Sequence, residues 1–164
     1  MKELLQHFAA YNVWANQRLA ETTLPISESS LAQQVVGSFP SIRSTILHLL
    51  DAESIWWQRL KLESDIKRPS DQFIGSTKDA LALLAVQNQV WKSWVEQASI
   101  TEIQNKFSYR NMRNEPFTQP VYDLLLHIFN HATYHRGQWV NQLRECGIVS
   151  IPATDYIVFS RQPE

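Results

Sequence analysis

The stretch HIFNHATYHRGQW, residues 127–139, sets His127, His131 and His135 at four-residue intervals in a chain with five histidines. On a helix, four residues advance about 400° and about 6 Å, so positions i and i+4 share one face. Two imidazoles at that spacing can aim their nitrogens at one metal ion, as on the HExxH helix of zinc proteases. Three in succession cannot. His127 and His135 stand about 12 Å apart along the axis, whereas metal–nitrogen bonds are about 2.0–2.1 Å. The segment therefore offers one pair, either His127 with His131 or His131 with His135. A further ligand has to come from another helix.

Two histidines remain, His7 and His48. His48 lies in ILHLLDAESIWW between Leu47 and Leu49, and an imidazole set so far into an apolar run needs a partner for its nitrogens. His7 lies in the first two turns of the chain beside Phe8 and fits a half-exposed position equally well. Context favours His48 without excluding His7. The chain lacks the HExxH glutamate, and Glu53 follows His48 by five residues, the wrong offset for the Glu-x-x-His pairs of di-iron bundles. The competing explanation needs no metal: each histidine serves singly, on the surface or hydrogen-bonded in the core.

The elements that must carry these residues are helical. The chain has only four glycines, and long stretches lack both Gly and Pro, which disfavours a sheet of tight turns. Four segments repeat apolar residues at helical period. The first runs from Lys2 to about Thr22 with a stripe of Leu4, Phe8, Tyr11, Ala15 and Leu19. The second follows Pro40, with Ser41 as N-cap, and runs to about Leu62 through Ile42, Ile46, Leu49, Trp56 and Leu60. The third opens at Ser76, where Ser76-Thr77-Lys78-Asp79 matches a capping box with Asp in place of Glu. It continues to about Ala98 through Leu81, Leu84, Trp91, Trp94 and Val95. The fourth runs from Pro120 to Gly147, a residue suited to a helix C′ position, through Val121, Leu124, Leu125, Ile128, Ala132, Trp139 and Leu143. Between the third and fourth, KFSYRNMRNEPFTQP alternates as a short hairpin would. The apolar tail after Gly147 is expected to pack along the bundle in extended form. These patterns predict an all-α protein, a four-helix bundle with a short hairpin between helices three and four.

The composition narrows the function. A length of 164 residues suits one domain, residues 1–164. A net charge of -1 provides no basic surplus for nucleic acid or for an anionic membrane surface. Glu3, Gln6 and His7 interrupt the apolar N-terminal stretch, so it reads as neither a signal core nor a membrane span. The single cysteine, Cys146, cannot form an intramolecular disulfide and fits a cytoplasmic location. It lies about three turns beyond His135 and reads as a small buried residue, not a nucleophile. Six tryptophans imply large buried rings or an aromatic-lined pocket.

Three stretches resemble one family. YNVWANQRL at residues 11–19, HLLDAESIWWQRL at 48–60 and HATYHRGQW at 131–139 are similar to the signatures of DinB/YfiT-like proteins. The order and spacing extend to Gly147, Pro152 and Asp155. The resemblance implies a four-helix bundle, often a homodimer, with a mononuclear metal held by three histidines. Transferred position by position, the ligands are His48, His131 and His135, with His127 a turn before the site. Three neutral histidines leave a tetrahedral ion one open position, as in catalytic rather than structural zinc sites. Zn²⁺ and Ni²⁺ both suit imidazole.

Two kinds of activity follow from the resemblance: hydrolase-like chemistry, and transfer to a low-molecular-weight thiol such as bacillithiol or mycothiol, whose pKa a metal would lower. A non-catalytic metal-binding or stress-response module is the alternative. Arg136 and Gln138 can orient an anionic group or bond a neighbouring helix. Arginines in such positions are more often structural, and Gly137 suggests a close helix contact. Trp56, Trp57 and Trp139 are candidates for pocket walls or for core.

Overall fold

The computed structural model describes residues 1–162. In chain order the elements are α1 (Lys2–Thr23), α2 (Glu28–Leu31), α3 (Ile42–Leu60), a 3-10 turn (Pro69–Gln72), α4 (Thr77–Gln97), α5 (Ile100–Gln104), β1 (Lys106–Arg110), β2 (Pro116–Pro120), α6 (Val121–Glu145) and α7 (Tyr156–Phe159). Two of the four long helices, α3 and α4, begin where a side chain satisfies free backbone N–H groups, whereas α1 and α6 start at Met1 and Pro120 without a side-chain cap. Ser41 Oγ accepts from the Ser44 N–H at the start of α3. Ser76 and Asp79 close the capping box that opens α4. At the far end of α6, Gly147 takes φ +84°, a left-handed C′ conformation that costs a side-chain-bearing residue more.

Side-chain pairs fix the directions of the four long helices. Asn12 and Thr23 of α1 meet Arg136 and Trp139 of α6, so these two run parallel. Thr45 meets Gln142 while His48 meets His131, so α3 runs against α6. Arg43 and Glu53 of α3 meet Thr77 and Asn88 of α4, so α3 and α4 are parallel. Parallel neighbours require a connection that travels back along the bundle. Residues 61–76 provide it, pinned midway where Ser70 donates its N–H and hydroxyl to Asp51. The helices α1 and α3 each pack on α4 and α6, which places α1 and α3 on a diagonal. The hairpin pairs β1 with β2 in antiparallel register, Lys106 with Pro120 through Arg110 with Pro116.

The interior has two apolar clusters. One gathers Leu5, Trp91, Val95, Leu125 and Ile128. The other gathers Leu19, Ile46, Leu84, Trp139 and Leu143. Between them lies a polar layer drawn from all four long helices: Asn12 and Asn16, Glu53, Asn88 and Arg136, all buried. Among the described residues no helix is long and apolar enough to cross a membrane.

The structure corrects several expectations. Leu4 is 54% exposed, and Leu5, at 2%, takes its place on the buried stripe. The short helices α2 and α5 break segments read as connections. The tail is not wholly extended, because Tyr156–Phe159 forms a helical turn. It lies on α1: Tyr11 donates to the Thr154 carbonyl, Tyr156 packs on Phe8, and Phe159 packs on Trp14. Two of the six tryptophans, Trp91 and Trp139, are core residues.

Candidate metal centre

The helices α3 and α6 bring one imidazole and two imidazoles to a common point. His48 Nε2 lies 3.2 Å from His131 Nε2 and 3.2 Å from His135 Nε2, and the last two are 3.1 Å apart. Hydrogen bonding among the rings cannot account for this triangle. A neutral imidazole nitrogen is either a donor or an acceptor, so three mutual contacts cannot all be satisfied. A cation satisfies all three lone pairs at once. Tetrahedral coordination with metal–nitrogen bonds of about 2.0–2.1 Å separates adjacent nitrogens by about 3.3–3.4 Å, close to the distances in the triangle. The three residues thus form a group able to hold a metal ion.

The surroundings keep these rings neutral and oriented. Burial, together with the neighbouring His135, pulls the His48 pKa down to about 4. Burial and the other histidines pull His131 down to about 3. Burial also lowers His135. Each therefore keeps a free lone pair at neutral pH. His135 Nδ1 lies 2.9 Å from Gln138 Oε1. An amide oxygen only accepts, so Nδ1 carries the proton and Nε2 faces the centre.

One side of the centre is walled. Phe39 stacks on His48 at 4.3 Å between centroids and meets His135 edge-on at 5.5 Å. The Phe39 carbonyl accepts from Gln142 Nε2 at 3.0 Å, and Gln142 Oε1 accepts from Thr45 at 2.8 Å. Gln138 Nε2 also donates to Ser38 Oγ. On the other side stand exposed His127, 5.6 Å from His131, and exposed Tyr134, 5.0 Å from His135. Asp51, one turn beyond His48, is committed to Ser70.

A family model described as the DinB family matches residues 1–164. The chain belongs to the DinB family. Protein DinB of Bacillus subtilis (strain 168) is 29% identical over 168 residues, covering 89% of this chain and 87% of that protein. Two solved structures share the fold. A DinB-like protein from Bacillus cereus ATCC 10987 superposes with a TM-score of 0.68 at 16% identity, over 88% of this chain and 91% of that one. A DinB-like protein from Bacillus subtilis gives 0.65 at 17% identity, over 93% and 98%.

Within this DinB-family bundle the group that could hold a metal ion draws one pair from α6 and one imidazole from α3. His131 pairs with His135, not with His127, and the third imidazole is His48. His7 is exposed on α1 and takes no part in the group. Arg136 is 2% exposed and points away from the centre, donating to Asn12 and Asn16 of α1 and to Thr133. Gly137 is not a close helix contact, since a Cβ there would meet nothing within 4 Å. Trp139 is core and bonds Thr23, Trp57 packs on Trp91, and only Trp56 stands beside a histidine, at 5.2 Å from His127. Cys146 is half-buried, with burial raising its thiol pKa. Sequence reasoning missed Phe39 and Gln142. Phe39 sits in the loop VVGSFPS with no periodicity to mark it. Gln142 at i+7 from His135 carried a usable signal, a polar residue on an otherwise apolar stripe.

Proposed function

We propose that this DinB-family chain is a metal-dependent enzyme whose single divalent ion, zinc or nickel, is held by His48, His131 and His135. The observation that carries this reading is the triangle of three Nε2 atoms 3.1–3.2 Å apart. Three neutral donors leave a coordination position for an exogenous ligand, which a purely structural site would close. Bound there, the ion supplies Lewis acidity, lowering the pKa of a coordinated thiol or water.

Of the two activities, thiol-dependent transfer fits better than hydrolysis. Hydrolysis with a carboxylate base, as in the HExxH zinc proteases, needs that carboxylate beside the reacting atoms. The carboxylate nearest in sequence, Asp51, is tied to Ser70, and Glu53 is turned into the core toward Asn12 and Asn88. The chain's contribution is then to hold three lone pairs in register, to fix the His135 tautomer through Gln138, and to exclude water on one side with Phe39.

The deciding measurement is metal content per chain by plasma mass spectrometry on untagged protein, wild type against His131→Ala. The expected result is near one equivalent of metal in wild type and none in the variant. Absence of metal in both after incubation with zinc and nickel would sink the reading. With metal established, transfer of a low-molecular-weight thiol to an electrophile should be lost in His131→Ala while the helical circular dichroism persists.

A further inference from the structure

Arg59 lies eleven residues beyond His48 on α3, about 16 Å along the axis and on nearly the same face. It is 8% exposed. Its guanidinium Cζ sits 4.6 Å from the Trp56 ring centroid and 5.4 Å from that of Tyr109 on β1. Among the described residues no carboxylate lies within 4.0 Å of it, and its buried Nε has no hydrogen-bond partner. A buried arginine without an anion is costly to fold. The other buried arginine, Arg136, shows how a purely structural one is treated in this fold, with three side-chain acceptors.

Two features tie Arg59 to the metal centre. A continuous run of rings leads to it: His131 to His127 at 5.6 Å, His127 to Trp56 at 5.2 Å, then Trp56 to the guanidinium at 4.6 Å. Helical side chains lean toward the helix N-terminus, so Arg59 leans back along α3 toward Trp56 and the histidines. Arg59 also lines a cavity of about 430 Å³ at the hairpin end, with Tyr109, Ser108, Asn111 and Met112. Glu63 borders the same cavity without pairing to Arg59.

We propose that Arg59 is the anion-binding end of an elongated ligand site. Its ligand is a small molecule that places a metal-binding head at the three histidines, lies along His127 and Trp56, and delivers a carboxylate or phosphate to the guanidinium. The inference rests on the metal-centre reading and adds the substrate class: an acidic small molecule, not a neutral one. The planar guanidinium suits a two-oxygen anion, and Trp56 and Tyr109 hold it by cation–π contact without consuming its donors.

The test uses cobalt-loaded protein titrated with ω-mercaptocarboxylic acids of increasing chain length and with the matching ω-mercaptoalcohols, followed by the thiolate-to-cobalt charge-transfer band. The acid should bind about 10-fold tighter than the alcohol once the chain spans the two sites, as expected for one charge-assisted hydrogen bond. It should have no advantage at the shortest length. Arg59→Gln should abolish the advantage, bringing the acid's affinity down to that of the alcohol, while Arg59→Lys should retain part of it. A second readout does not depend on the metal centre: tryptophan fluorescence of metal-free protein titrated with succinate or inorganic phosphate. A saturable change in wild type, absent in Arg59→Gln, upholds the anion site even if no thiol binds cobalt, and the stronger titrant identifies the anion. Equal binding of acid and alcohol at every length, with no Arg59-dependent fluorescence change, overturns the inference. Arg59→Gln should melt no lower than wild type; a loss of stability without any loss of anion binding would likewise assign Arg59 a purely structural role.

Discussion

On α6, His135 and Arg136 are adjacent in sequence but belong to two polar clusters with different hydrogen bonding. Arg136 joins a closed ring. Arg136 donates to Asn12 and Asn16, Asn12 donates to Glu53, Asn16 donates to Asn88, and Asn88 donates to the second Glu53 oxygen. Donors and acceptors match around the ring, and a positive and a negative group are joined through neutral amides. His135 joins a triangle in which three acceptors face one point with nothing from the chain between them. The ring is complete without any visitor and spans all four long helices. The triangle is left with three unmatched nitrogens, a set that could hold a metal ion. In a bundle interior, polar residues alone do not mark a functional site. An unmatched set of donors or acceptors does.

The comparison breaks most visibly at Arg136. Arg136→Met should destabilise the protein by about 3–5 kcal/mol at pH 8, because it leaves the Glu53 carboxylate buried without its counter-charge. Urea denaturation measures this, and a loss below about 1 kcal/mol would show that the ring is not the structural element described. The corresponding loss at pH 6 should be smaller, because Glu53 is then largely protonated.

Glu53 itself provides the next test. Burial raises its carboxyl pKa to about 7, against the lowering pull of Asn88, Asn12 and Arg136. The folded state therefore binds more protons than the unfolded state between pH 4.5 and 7. The Glu53 contribution is fully present below that window and declines as pH rises through it, by at most about 1.4 kcal/mol per pH unit. Denaturation midpoints of wild type and Glu53→Gln across that range should differ in slope, with the variant flatter. Parallel profiles would mean that Glu53 ionises normally.

Gln138→Ala probes the other cluster. It removes the acceptor that sets the His135 tautomer, so metal affinity should fall about 10–100-fold with little change in the stability of the metal-free protein. Competition with a chromogenic chelator reads the first quantity and urea denaturation the second. The smallest effect is expected at Gly137, which lies between the residues of both clusters yet faces open space. Gly137→Ala should stabilise α6 by about 0.5–1 kcal/mol and leave metal affinity unchanged. A loss of either would reveal a contact at this position.

The sequence made the triangle more legible than the ring. The i, i+4 spacing of the α6 histidines puts two imidazoles on one face without saying which two, and His48 stands out as a polar residue in an apolar run. The DinB resemblance chose among the pairs that spacing left open. The ring has no such signature, because Asn12, Asn16 and Asn88 are single polar residues beside apolar stripes, where burial depends on how four helices rotate against each other. That rotation is a tertiary quantity, and it also decides that Leu5 and not Leu4 faces the interior. The capping chemistry of Ser41, Ser76 and Gly147 is local, and the helix ends it marks were read to within about two residues. The turn at Tyr156–Phe159 answers to its packing on Phe8, Tyr11 and Trp14, which nothing in the tail's own residues announces. Arg59 had a local trace, a charge close behind the Trp56-Trp57 pair, but its lack of a partner is visible only in three dimensions.

His48 is separated from His131 and His135 by 83 and 87 residues. In the unfolded chain, bringing His48 to the other two means closing a long loop. The α6 pair can meet an ion as soon as that helix forms, whereas the third donor arrives only when α3 has docked antiparallel to it. Under the proposed function, full-strength binding of an ion would be a late event in folding, and its loss an early step in taking the bundle apart. Loading the site should leave the refolding rate nearly unchanged and slow unfolding, so the ion would act on the lifetime of the native state more than on the speed of reaching it.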